Sequence, residues 1–203
     1  MQTAVDRPER MALRCLEACR VTELPVRPAE LIRRCRNTRL MTFSEAAEML
    51  GMEDEAFERQ MGGADAVTFR EDDACGNTRF IVCCREGGNP ARKNFTLAHE
   101  LGHIVLDHSG RAEQEEIEAD RFATWLLCPP AVCDALAERG ELYAERVAEV
   151  CYISLSAALH LNAKERAQRE WKMETETERL LRESVKKHVF YSSPKADWHR
   201  IMR

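Results

Sequence analysis

The sequence predicts an α+β fold: a small, mostly antiparallel sheet packed on two successive helices, with further short helices around them. Three observations lead there. Apolar residues recur at helical spacing over residues 94–108 and again over 113–127. Two β-rich runs, 66–70 and 78–84, are joined by E-D-D-A-C-G-N, whose turn formers suggest a hairpin. Proline and glycine punctuate the remainder into short pieces.

Taken in order, residues 8–20 and 28–36 read as helices, with Pro25 and Pro28 between them. Residues 40–43 suit a short strand. Thr42, with Glu45 three residues later, or Ser44 can open the next helix, S-E-A-A-E-M-L, which Gly51 ends. Residues 53–60 form another, stopped by Gly62-Gly63. After the two strands, E-G-G-N-P leads into the 94–108 helix, with Asn94 as its expected N-cap and Ser109-Gly110 as its stop. Gly102 lies inside that helix at a cost of about 1 kcal/mol relative to Ala, which close approach of another backbone would explain. The 113–127 helix ends at Cys128-Pro129-Pro130. Residues 131–139, 141–150 and 154–161 read as short helices, and 163–187 as a long amphipathic helix with a solvated charged face. The tail 188–203 holds Phe190, Tyr191 and Trp198. We therefore divide the chain into a domain over 1–162 and a charged helix and tail over 163–203.

Composition narrows the function. A 203-residue chain that is 44% hydrophobic and 32% charged is a globular domain. A net charge of −5 argues against a generally basic nucleic-acid binder, so no direct nucleic-acid binding is expected. No apolar run approaches the roughly 18 residues that cross a bilayer, and M-Q-T-A-V-D-R-P-E-R lacks the apolar core of a signal peptide. A cytoplasmic protein without membrane contact is the expectation. Nine cysteines occur with no C-x-x-C pair, which speaks against a disulfide framework; the adjacent Cys83-Cys84 is the pair to watch for oxidation.

Chemistry concentrates in the 94–108 segment, N-F-T-L-A-H-E-L-G-H-I-V-L-D-H, which contains H-E-x-x-H. His99 and His103 are four residues apart, about 400° of helical rotation, so both rings project from nearly one face and can share one zinc ion. Glu100 then sits beside the metal, where a general base for an attacking water belongs. A third protein ligand is needed. The pattern H-E-x-x-H-x-x-G-x-x-H fails, because Leu106 and Ser109 stand where Gly and His should be. His108, five residues from His103, would point about 140° away on the same helix and is discounted. The second helix offers acids instead. Glu116 is the preferred ligand, and Asp120, four residues on, can orient a ligand histidine by accepting a hydrogen bond from its other nitrogen. Glu118 is the competing ligand. Glu113 and Glu115 suit an acidic helix N-terminus. His160, Tyr143 and Tyr152 are candidates for stabilising a developing oxyanion, each more naturally a packing residue.

F-T-L-A-H-E-L-G-H-I-V-L followed by E-I-E-A-D-R-F-A-T-W-L-L-C-P resembles the ImmA/IrrE-type metallopeptidases. The resemblance is tight over about 35 residues and looser over roughly 20–160. It implies a zincin-like core and makes the first Glu of the second motif, here Glu116, the third zinc ligand. It further implies cytosolic endopeptidase activity against a helix-turn-helix repressor of a mobile element or stress regulon. The rival expectation is a non-catalytic module that sequesters a repressor or a toxin or antitoxin. A strand beside the zincin helix could receive an extended peptide at its edge, and residues 78–84 are the candidate.

Overall fold

The computed structural model describes residues 6–110, 112–161 and 175–191. In chain order these form α1 (Arg7–Ala18), α2 (Pro28–Arg34), β1 (Thr38–Thr42), α3 (Phe43–Leu50), α4 (Asp54–Gln60), β2 (Ala66–Asp72), β3 (Thr78–Cys84), α5 (Pro90–Val105), α6 (Glu113–Leu127), α7 (Pro130–Glu138), α8 (Ala144–Cys151), α9 (Leu155–His160) and α10 (Glu176–Tyr191). Local chemistry sets many of these ends. Thr42 Oγ1 accepts from Glu45 N at 3.1 Å while Glu45 Oε2 accepts from Thr42 N at 2.7 Å, a reciprocal cap that opens α3. Gly51 closes it at φ 66°.

The sheet is mixed, not mostly antiparallel. Its order is β1-β3-β2; β1 runs parallel to β3, with Leu40 opposite Val82, and β2 runs antiparallel to β3, with Thr68 opposite Val82. The expected hairpin is the antiparallel pair. Its turn is held by Asp73 Oδ1, which accepts from Cys75 N and Asn77 N at 2.8 Å each. A parallel pair needs a crossover, and α3, α4 and β2 supply it.

The strand expected at the edge, 78–84, is therefore the central one, paired on both sides. Its composition gives the reason. F-I-V-C-C is nearly continuous in apolar residues, the pattern of a strand covered on both faces. Successive side chains point opposite ways. Val82 and Cys84 enter the main core, and Cys83 enters a second cluster with Met41, Phe43, Ala46, Ala47 and Phe57. Both cysteines are buried free thiols rather than exposed ones.

The main core joins α1, α2, α5, α6 and α7 with the helices that follow, through residues such as Leu16, Ile32, Leu101, Phe122, Leu126 and Leu136. Leu181 and Val185 of α10 lie in the same core with no exposure. Ser184 Oγ there accepts from Leu24 N at 3.0 Å. The first part of the long helix expected over 163–187, residues 163–174, and the tail 192–203 lie outside the described residues. Among the described residues, no helix is long and apolar enough to cross a membrane.

Candidate metal centre

Helix α5 begins earlier than expected. Asn89, not Asn94, is its N-cap: Asn89 Oδ1 accepts from Ala91 N at 2.9 Å and Arg92 N at 3.2 Å, and Pro90 occupies the first helical position, where no N–H is needed. Asn94 instead donates from Nδ2 to Val26 O at 3.4 Å and Tyr152 O at 3.3 Å, tying α5 to neighbouring segments. The helix also ends sooner than Gly110. Leu106 caps it, and Asp107 turns the chain at φ 55°.

Helix α6 crosses α5 at Gly102. A methyl group built on Gly102 would lie 3.1 Å from Phe122 Cδ1 and 3.2 Å from Ala119 Cα. The glycine thus permits the close backbone approach expected of it, and that approach brings the residues flanking Ala119 against the histidine face of α5. Glu115 fixes the start of α6 by accepting from Ala112 N and Ser109 N at 3.1 Å each, and these backbone bonds hold its carboxyl below the usual range.

Three of the residues picked from sequence converge here. His99 Nε2 and His103 Nε2 are 3.0 Å apart. Glu116 Oε2 lies 3.2 Å from His99 Nε2, and its Oε1 lies 3.5 Å from His103 Nε2. A tetrahedral ion with ligands at 2.0–2.1 Å has ligand–ligand edges of about 3.3 Å, so the three separations bracket what one such ion requires. Two imidazole nitrogens and a carboxylate oxygen are also the donor set that a borderline divalent metal takes. Among the described residues no other group of three or more His, Cys, Asp or Glu side chains converges in this way.

With both Nε2 atoms turned to the cluster, the proton of each neutral ring belongs on Nδ1. His99 Nδ1–H then donates to Asp120 Oδ1 at 2.8 Å, in the orienting position expected of Asp120. His103 Nδ1 faces His108 Nδ1 at 2.9 Å. Burial is the largest influence on His99 and favours its neutral form. The hydrogen bond to Asp120 and the charges of Asp120, Glu100 and Glu116 together outweigh it, so its pKa is raised. The site gathers negative charge that a dication would balance.

Glu100 is buried at 2% exposure on the same helix, near enough for its charge to act on His99. Glu118, the competing ligand, faces elsewhere: Gln114 Nε2 donates to its Oε1 at 3.0 Å, and its Oε2 lies 3.5 Å from His108 Nε2. His108 does not point away, because the chain has left the helix before reaching it. Of the three oxyanion candidates, Tyr143 is exposed at the start of α8, Tyr152 caps its end, and His160 borders a cavity of about 260 Å³. Phe95, Leu127, Ile153 and Leu161 give that cavity an apolar wall, and Asp120 stands at its margin.

Compared with known protein families, residues 55–161, more than half of the chain, match the model of the M78 peptidases, described as the IrrE N-terminal-like domain. The matched segment contains α5, α6 and all three converging side chains. No curated protein matches the chain.

Proposed function

The chain belongs to the M78 peptidase family, the ImmA/IrrE-type proteins with an IrrE N-terminal-like domain, and from that premise we propose that it is a zinc-dependent endopeptidase of a cytosolic protein. The single observation that carries the proposal is the convergence of His99 Nε2, His103 Nε2 and Glu116 within 4.8 Å of one another on two crossing helices of a peptidase-family domain. These three residues would hold the metal. When bound, zinc supplies Lewis acidity toward a peptide carbonyl and makes water a better nucleophile near neutral pH.

The protein's own groups do the rest. Asp120 fixes the tautomer and orientation of His99 through the 2.8 Å bond to Nδ1. Glu100 takes the proton of the attacking water and delivers it to the departing amine. Three protein donors leave a position open to substrate, as catalytic sites do, whereas structural zinc sites close with four. The apolar cavity beside Asp120 suits an apolar side chain of the bound peptide. β2, an outer strand packed near α5, is the strand that could receive an extended substrate in place of the central β3.

The substrate we assign is a helix-turn-helix repressor of a mobile element or stress regulon, on the strength of the family resemblance. The test is incubation with a repressor encoded beside this chain, with and without chelator. Cleavage that chelator abolishes and zinc restores is the expected result. Stable co-elution of the two proteins without any cleavage would replace the peptidase by a binding module.

A further inference from the structure

A histidine that coordinates through Nε2 must carry its proton on Nδ1, and a partner for that proton governs how firmly the ring is held. His99 has Asp120 for this purpose. His103 Nδ1 instead meets another imidazole, His108 Nδ1, at 2.9 Å. His108 is itself buried at 9% exposure, and its remaining nitrogen, Nε2, is turned to Glu118 Oε2 at 3.5 Å. We infer that His108 and Glu118 are positioning residues for the second metal-binding histidine, forming a chain from Glu118 through His108 to His103.

Proton bookkeeping permits only one arrangement when His103 Nε2 faces a cation. His103 Nδ1–H donates to His108 Nδ1, and His108 Nε2–H points to the Glu118 carboxylate. The ring of His108 thus carries the orienting effect of the Glu118 carboxylate to His103. The backbone is built to hold it there. Asp107 adopts φ 55°, which ends α5 and folds the next residue back over its last turn, and His108 N donates to His103 O at 3.0 Å. Arg70 Nη1 donates to Asp107 Oδ1 at 2.7 Å, tying that turn to β2. At the far end, Gln114 Nε2 donates to Glu118 Oε1 at 3.0 Å and fixes the carboxylate. The two ligand histidines are therefore supported differently: one directly from α6, the other from α6 through the turn after α5.

The inference presupposes the metal site proposed above, and its test separates the two. Zinc affinity is measured by competition with a chromophoric chelator, and the visible spectrum of the cobalt-substituted protein is recorded, for the wild type, His108→Leu, His108→Asn and Glu118→Ala. His108→Leu removes the acceptor for His103 Nδ1–H; zinc affinity falls about 10–100-fold and the cobalt spectrum changes. His108→Asn keeps a short side-chain acceptor and recovers most of that affinity. Glu118→Ala, at a position whose side chain is 23% exposed, weakens zinc binding by a smaller factor in the same direction. Equal affinity and identical spectra in the wild type, His108→Leu and Glu118→Ala would overturn the positioning role while leaving the metal site intact. So would His108→Asn as weak as His108→Leu with Glu118→Ala unchanged, which would mark His108 as packing alone. A wild-type protein that takes up neither ion would instead sink the metal site itself.

Discussion

At the scale of single residues, the proposed function gives holding the metal and moving protons to different side chains. Glu100 follows His99 in the chain yet is absent from the group of converging ligand atoms, and its burial leaves it in a medium where its charge is felt strongly. Replacing it by the isosteric amide keeps shape and removes basicity. Glu100→Gln is therefore expected to bind zinc stoichiometrically while cleavage falls by about 10²–10⁴-fold; full activity in that variant would refute the assigned base. The two acids of α6 make a second contrast. Glu116 lies 3.2 Å from His99 Nε2, whereas Glu118 reaches only His108 and Gln114. Glu116→Ala should lose its metal on simple desalting, and Glu118→Ala should keep it, as elemental analysis of the two proteins would report. The reverse order would move the ligand to Glu118.

At the scale of elements, the geometry of the site is the geometry of one helix crossing. Gly102 lets Ala119 approach, and Glu116 and Asp120, the proposed ligand and orienting residue, lie within one turn of that contact. Gly102→Ala improves helix propensity by about 1 kcal/mol. It also forces backbone atoms of α6 outward, since the new methyl would sit 3.2 Å from Ala119 Cα and 3.3 Å from Ala119 O, and such overpacking costs typically about 1–3 kcal/mol. The expected outcome is a modest loss of stability with at least a tenfold loss of zinc affinity, read by chelator competition; unchanged affinity would show that the crossing does not set the ligand spacing. The helices themselves were legible because their apolar period and H-E-x-x-H motif are local signals. Glu116 and Asp120 were legible for the same reason, being four apart on one face. Strand order was not, because the β1–β3 pairing joins residues some 40 positions apart and nothing local encodes it. The apolar run in β3 was the available sign that it lay inside the sheet. The direction of His108, though not its exclusion from the converging donors, differs from the expectation, because the helical wheel was extended past the point where Asp107 turns the chain; a side chain's direction follows from the helix only while the helix lasts.

At the scale of the whole molecule, the candidate metal centre rests on a core that extends well past the family-matched segment, which ends at residue 161. α10 fills it from the other side. Leu181 and Val185 are fully buried with Leu126, Leu136 and Val132, Ser184 accepts from Leu24 N, and Arg182 pairs with Glu138 and Asp134 of α7. On the opposite flank Arg121 of α6 reaches Asp6 at 2.6 Å and Glu9 at 2.8 Å, joining the start of α1 to the helix that bears Glu116. Helix α6 is thus clamped through α7 and α1 while its inner face meets α5. Truncating Leu181 should act on the whole fold, because deleting a fully buried leucine side chain typically costs about 2–5 kcal/mol. Leu181→Ala is expected to lower the urea midpoint of unfolding, with loss of helical signal and release of bound zinc occurring together in one transition. If zinc release stays at the wild-type midpoint while only part of the helical signal moves, α10 is an accessory that the metal centre does not need.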